Sequence, residues 1–253
     1  MSQLAAKLKE AARPGVQPLG FKTHAAARAP ALVLVARLSA DNMPPATALE
    51  GADAVLIDIN DLNAQAEQLR AAAKSLGQIP WGVMVNRADR GQTEQLKEAG
   101  CDFVAFPADE MLVGILKEEE LGKVIIVPAA LEDGLAAAIN EISADAAIIQ
   151  CEEEASLTVR SLLSILRLTD IIEIPVLVSL SPGSGQEEIE AMRQAGVAGI
   201  VLPLGQGHLA TRIKELRQLV DTLPVERKTH PHKKAALLPV IGIEDEASLD
   251  EEP

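Results

Sequence analysis

Apolar residues in this chain gather into eight short continuous runs, and the stretches between them carry an apolar residue every third or fourth position. Four of the runs follow a lead of small residues, often with Gly or Asp. They are Gly-Ala-Asp-Ala-Val-Leu-Ile-Asp at 51–58, Gly-Cys-Asp-Phe-Val-Ala-Phe at 100–106, Ser-Ala-Asp-Ala-Ala-Ile-Ile at 143–149 and Gly-Val-Ala-Gly-Ile-Val-Leu at 196–202. Four more lie between them, at 31–38, 81–85, 123–127 and 175–180, three with a Pro at or just before the start. Successive runs begin roughly 21 to 29 residues apart, the length of one strand, one helix and two short loops. Because they are continuous instead of alternating, they predict strands buried on both faces.

The intervening stretches predict amphipathic helices. Leu62, Ala66, Leu69, Ala73 and Leu76 step by four and three, as do Leu209, Ile213, Leu216, Val220 and Leu223; residues 155–170 are similar and more apolar. Gly77, Gly100, Gly122 and Gly196 each follow such a stretch, where a left-handed cap residue is wanted. Eight alternating units predict an α/β fold, a single (β/α)8 barrel over residues 31–224. An open doubly wound sheet shows the same alternation and is the alternative.

Both ends lie outside the repeat. Residues 2–13, within an N-terminal extension spanning 1–30, predict a short helix with Leu4, Leu8, Ala11 and Ala12 on one face, a plug for the lower end of the barrel. Residues 225–253 form a tail that is first mixed and basic, then apolar over 235–243, then acidic. Its last ten residues hold six acids and no base, which predicts a solvated segment. A docking peptide for a protein partner, anchored on 237–243, is the second reading. His230 and His232 are too few to make a metal site there.

Composition narrows the partners. Hydrophobic residues make up 48% and aromatics 2%, with no Tyr, so the core must be Ala, Val, Ile and Leu, the residues that fill barrel layers. A net charge of −14 repels phosphate backbones, and scarce aromatics leave no stacking platforms, so no nucleic-acid partner is expected. Two cysteines, Cys101 and Cys151, fit a reducing compartment and give no disulfide framework. The first residues lack the apolar core of a secretory signal. No run approaches the roughly eighteen apolar residues of a membrane span. A cytoplasmic protein is the expectation, with homo-oligomerisation left open.

In barrels of this kind, chemistry sits on the loops at the C-terminal ends of the strands. Those ends carry Arg37 and Ser39, then Asp58, Asn60 and Asp61, then Asn86 and Arg87, then Pro107 and Asp109, and then Pro128. The later ends carry Gln150, Cys151, Glu152 and Glu153, followed by Ser179 and Ser181. A charge facing outward from a buried strand would sit unpaired beneath a helix, at a cost of several kcal/mol. Arg37 and Asp58 are therefore expected to turn into the mouth and, lying on adjacent strands, to pair there. Such a pair either serves a ligand or closes the top of the core.

Asp61 and Asp109 precede helical stretches and predict helix N-caps. Glu152 and Glu153 open a helix whose dipole favours acids. Cys151 has no strand-end His beside it and predicts an inert thiol. With no Lys at any predicted strand end, Schiff-base chemistry has no candidate, and no strand-end His offers a general base. No nucleotide-cofactor motif is present. No metal-ligand spacing is present either, although Asp58 with a glutamate leaves a divalent ion such as Mg²⁺ open.

The last two units carry a positive signal, Ser-Pro-Gly-Ser-Gly at 181–185 after strand 7 and Gly-Gln-Gly-His at 205–208 before the final helix. With the whole β/α rhythm, these loops resemble those of the phosphate-binding, aldolase-type (β/α)8 barrels, where backbone N–H groups at a helix N-terminus cradle phosphate. The Gly-Gly that those families often carry after strand 7 is absent, and Pro203 removes one donor beside strand 8. The resemblance implies a lyase or isomerase acting on a small phosphorylated or carboxylated anion. Arg37 would hold the anion, Asp58 would serve as acid or base, and Asn86 would stand in the reacting set. Gln150, Ser179, Ser181, Gly183, Gly185, Gly205, Gly207 and His208 would bind the substrate. The alternative is a barrel without catalysis, serving as a scaffold or subunit through its terminal segments.

Overall fold

Eight parallel strands pair in chain order and close on themselves, β1 with β8. They are β1 (Val33–Ser39), β2 (Ala54–Asp58), β3 (Trp81–Met84), β4 (Phe103–Pro107), β5 (Gly122–Pro128), β6 (Ala146–Gln150), β7 (Val176–Ser179) and β8 (Gly199–Pro203). The computed structural model describes residues 2–12, 31–59, 61–62, 64–151, 157–181, 183–203 and 209–223. The predicted barrel is thus the observed one, and the open sheet is excluded. The acidic tail lies outside the described residues.

Helices α1 (Gln3–Ala12), α2 (Ala66–Leu76), α3 (Arg90–Glu98), α4 (Asp133–Ala138), α5 (Val159–Ile171), α6 (Gln186–Gln194) and α7 (Leu209–Thr222) pack around the strands. Two crossovers depart from the repeat. Between β1 and β2 the chain makes 3₁₀ turns at Ala40–Asn42 and Ala46–Leu49, and between β4 and β5 one at Val113–Lys117. Pro44 and Pro45 break the first of these crossovers, since proline lacks the N–H a helix interior needs. Gly77, Gly100 and Gly196 have positive φ, as their cap positions predict. Gly122 does not. It opens β5, where a Cβ would lie 2.6 Å from that of Ser2, so its role is close approach.

The pairing register fixes what faces inward. Followed once around the barrel, its offsets close with a stagger of eight residues, the shear of a standard eight-stranded barrel. That stagger sorts the inward residues into levels of four from alternate strands. The lowest level is Ala54, Phe103, Ala146 and Gly199. Above it stand Val35, Gly82, Val124 and Leu177, then Leu56, Ala105, Ile148 and Val201. Large and small residues interlock between levels: a Cβ on Gly82 would lie 2.4 Å from the Phe103 carbonyl oxygen and 2.5 Å from its ring.

Helix α1 closes the lower end. Leu4, Leu8 and Ala11 join the interior cluster with Val33, Val35 and Phe103, and Leu8 is wholly buried. Asp102 anchors the helix by accepting from Ser2 Oγ at 2.8 Å, Gln3 N at 2.7 Å and Leu4 N at 2.9 Å. Lys7 Nζ donates to the Asp53 carbonyl at 2.8 Å. The Asp of the sequence repeat therefore works at this lower rim. Asp53 also accepts from Leu34 N, and Asp145 from Lys123 N, each tying a backbone amide of the preceding strand.

Candidate functional site

The next inward level up is Arg37, Met84, Ile126 and Ser179, and above it come Asp58, Pro107, Gln150 and Pro203 at the ends of the even strands. Among the described residues, the strands' inward side chains below these two levels are all apolar. A small cavity opens there, with Arg37, Gln150 and Ser179 on its polar side and Leu56, Met84, Ile126, Ile148 and Val201 as floor and wall. Its enclosed room is about 10 Å³, space for one water. Anything larger rests on top of it.

Arg37 Nε donates to both carboxylate oxygens of Asp58, at 2.9 Å each. Among the described residues no protein group accepts from Nη1 or Nη2, so the outer end of the guanidinium is open toward the mouth. The two side chains are 23% and 34% exposed, and a pair at the water's edge is worth only about 0–1 kcal/mol of stability. Stability alone gives little reason to place it where an apolar residue would pack.

The other sequence candidates disperse. Asn86 is exposed beyond β3 and does not line the cavity. Ser181 is half-buried, and its Oγ accepts from Gly183 N at 3.4 Å. The Gly185 amide, which the resemblance would give to phosphate, donates to Glu188 Oε2 at 2.6 Å. Glu188 Oε1 accepts from Leu157 N at 2.8 Å, so one carboxylate already fills the N-terminus of α6 and ties it to the loop ahead of α5. A Gly-x-x-Glu spacing at the head of a helix is the capping-box signal that could have revealed this. Gly205, Gly207 and His208 lie outside the described residues, as do Asn60, Glu152 and Glu153.

Neither predicted aspartate cap holds. Asp61 accepts from Ala64 N at 3.2 Å and closes a turn ahead of α2, whose N-cap residue is Gln65. Asp109 is exposed in a turn, and the 3₁₀ turn beyond it starts after Leu112. The helix after β6 begins at Val159, where Thr158 Oγ1 caps it by accepting from Ser161 N at 3.1 Å. Cys151 is half-buried, and burial pushes its thiol up, away from the thiolate a nucleophile needs. Among the described residues no group of three or more His, Cys, Asp or Glu could hold a metal ion, and no helix is long and apolar enough to cross a membrane.

No protein-family model matches this chain, and no curated protein sequence does. Solved structures do match in fold. A mutant tryptophan synthase α-subunit from the hyperthermophile Pyrococcus furiosus superposes with a TM-score of 0.56 at 14% identity, covering 74% of this chain and 96% of that one. Tryptophan synthase from Mycobacterium tuberculosis matches with a TM-score of 0.58 at 14% identity, covering 75% and 93%. Its open form gives 0.56 at 15% identity, with the same coverage. Likeness at this identity is likeness of the (β/α)8 barrel.

Proposed function

We propose that the mouth of this barrel binds a small anionic metabolite, phosphorylated or carboxylated, and that the chain acts on it as a lyase or isomerase. Arg37 holds the anion through its outer nitrogens, Asp58 orients that guanidinium and serves as acid or base, and Gln150 and Ser179 hydrogen-bond the body of the ligand. Asn86 and Ser181 stand outside the cavity at the rim, where only a longer ligand would meet them. Since Glu188 engages the Gly185 amide and Ser181 Oγ accepts, at 3.4 Å, from that of Gly183, further anion donors on this side would be Gly205, Gly207 and His208, with Gly183 only if its long bond to Ser181 gives way.

The observation that carries this reading is the Arg37–Asp58 pair, half-exposed above an apolar floor and turned inward where a plain plug would be apolar. The fold likeness to an enzyme, tryptophan synthase, adds an analogy. The test is thermal unfolding against phosphate, phosphosugars and small carboxylates, with and without Mg²⁺. A ligand at one hundred times its dissociation constant adds about 2.7 kcal/mol. That shift should vanish in Arg37→Ala and in Asp58→Ala. Absence of a shift from every ligand would count against the reading.

A second reading, the barrel as a subunit without catalysis, is favoured by a different surface. Leu135 of α4 and Val159 and Leu163 of α5 are 59%, 75% and 62% exposed on neighbouring helices. Sedimentation of the full chain against Leu163→Glu tests it: self-association lost in the variant supports this reading, and a monomer in both argues against a homomeric subunit.

A further inference from the structure

The geometry points to a ligand that is a monocarboxylic acid with an apolar body, seated carboxylate-first on Arg37, and not a polyhydroxylated phosphate. This rests on the reading of the mouth as an anion site and narrows it.

The barrel mouth has two unlike arcs. Gln150 of β6, Ser179 of β7, Arg37 of β1 and Asp58 of β2 fall on one side, with Pro203 of β8 among them. The other side, β3 to β5, presents Met84, Pro107 and Ile126 at those two levels, with Asn86 and Pro128 one level further out. Among the described residues that arc offers no side-chain donor or acceptor at these two levels, and Pro107 lacks an N–H. Asn86 and Asp109 stand beyond it, exposed, and line none of the cavity. A hydroxyl turned toward Met84 and Ile126 would give up water and find no partner there, whereas methylenes gain by the same contact.

The charge points the same way. Among the described residues Arg37 is the one cation lining the cavity, and its Nε is already committed to Asp58. The remaining Nη1–Nη2 edge matches the two oxygens of a carboxylate as a fork. A phosphate dianion would bring one more negative charge than a carboxylate beside Asp58, well within a Debye length, so its repulsion is the greater of the two. The amide that a phosphate would want after β7 is occupied, since Gly185 N donates to Glu188. With room for one water beneath, the acid's body lies across the floor of Met84 and Ile126 and does not enter the barrel.

The experiment is calorimetric titration of the full chain with acetate, butanoate, hexanoate and 3-phenylpropanoate, set against glycerol 3-phosphate and ribose 5-phosphate. Affinity should climb roughly twofold per added methylene from acetate to hexanoate, half the free energy of full burial because the chain lies on the floor with its other side in water. The climb should be lost in Arg37→Ala and flattened in Met84→Gln. The Met84 variant leaves Arg37 and Asp58 in place, so it keeps the test readable if Arg37→Ala does not fold. An affinity flat with chain length, or Arg37-dependent binding of the phosphates tighter than any acid, overturns the apolar-acid inference while leaving the anion site standing. No Arg37-dependent binding of any compound overturns both.

Discussion

Replacing Asp102 by Ala removes the acceptor that holds the start of α1 against the barrel. Three donors lose their partner: Ser2 Oγ, Gln3 N and Leu4 N, at 2.7 to 2.9 Å in the native protein. Gln3 is exposed and its amide can return to water, but Ser2 and Leu4 are buried. The Ser2 hydroxyl can rotate, so the Leu4 amide carries the unmet-donor cost of about 1–3 kcal/mol, and with about 1 kcal/mol for the lost helix cap the total is about 2–4 kcal/mol. The helix could escape the penalty by undocking. That would expose Leu4 and Leu8, at about 1.5–3 kcal/mol each, along with Ala5 and Ala11. Undocking is the dearer route, so α1 stays in place and the loss falls on the whole barrel. For a domain of this size, about 2–4 kcal/mol lowers the melting temperature by roughly 5–15 °C. Circular dichroism melts of wild type, Asp102→Ala and Asp102→Asn check it, the Asn variant falling between because its amide oxygen still accepts. Limited proteolysis at 25 °C provides the second arm. An unchanged melt, or rapid cleavage within residues 2–12 with the barrel's own melt intact, would refute the reasoning.

Three further outcomes are expected. Burial pushes the Cys101 thiol from its ordinary 9.0 up to about 12. Below pH 9 the folded and unfolded chains both keep this proton. Between about 9 and 12 only the unfolded chain releases it, so stability falls by about 1.4 kcal/mol per pH unit. Urea unfolding from pH 8 to 10.5 should show that slope in wild type and a shallower one in Cys101→Ala; with no Tyr to add its own titration, parallel curves would sink the argument. Gly82→Ala forces a Cβ to within 2.4 Å of the Phe103 carbonyl and 2.5 Å of its ring, and should cost about 3 kcal/mol in denaturant unfolding, partly recovered by Phe103→Leu. In the ligand panel, Arg37→Ala and Asp58→Ala should both abolish the shift while lowering the unliganded melt by no more than about 1 kcal/mol each, because the pair is half-exposed. A larger loss of stability would instead make it a structural closure of the core.

What could be read from the sequence follows from which signals are local. Continuous apolar runs specify buried strands whatever their neighbours, and eight of them at even spacing leave few closures, so the barrel and the plugging face of Leu4, Leu8 and Ala11 were legible. The pairing of Arg37 with Asp58 followed from a general cost, that of a charge on a buried strand, applied to neighbouring strands. Caps were less legible, because an Asp before a helical stretch does not say where the first turn forms. Asp61 closes a turn and Asp109 lies exposed in one, and proline breaks the β1–β2 crossover into 3₁₀ turns. The repeat's aspartates were visible as a pattern, but their task was not, since Asp53, Asp102 and Asp145 act on amides brought near by closure. The apolar half of the mouth was the larger omission. Met84, Ile126, Ile148 and Val201 read as core because they are core along the chain; they become a floor only once the stagger of eight sets them level with, or one step below, Arg37 and Ser179. Polar residues at strand ends show which arc of a barrel mouth can hold a charge. The inward residues at the remaining strand ends bear on the rest of the ligand, and here Met84, Pro107 and Ile126 favour the apolar body proposed above.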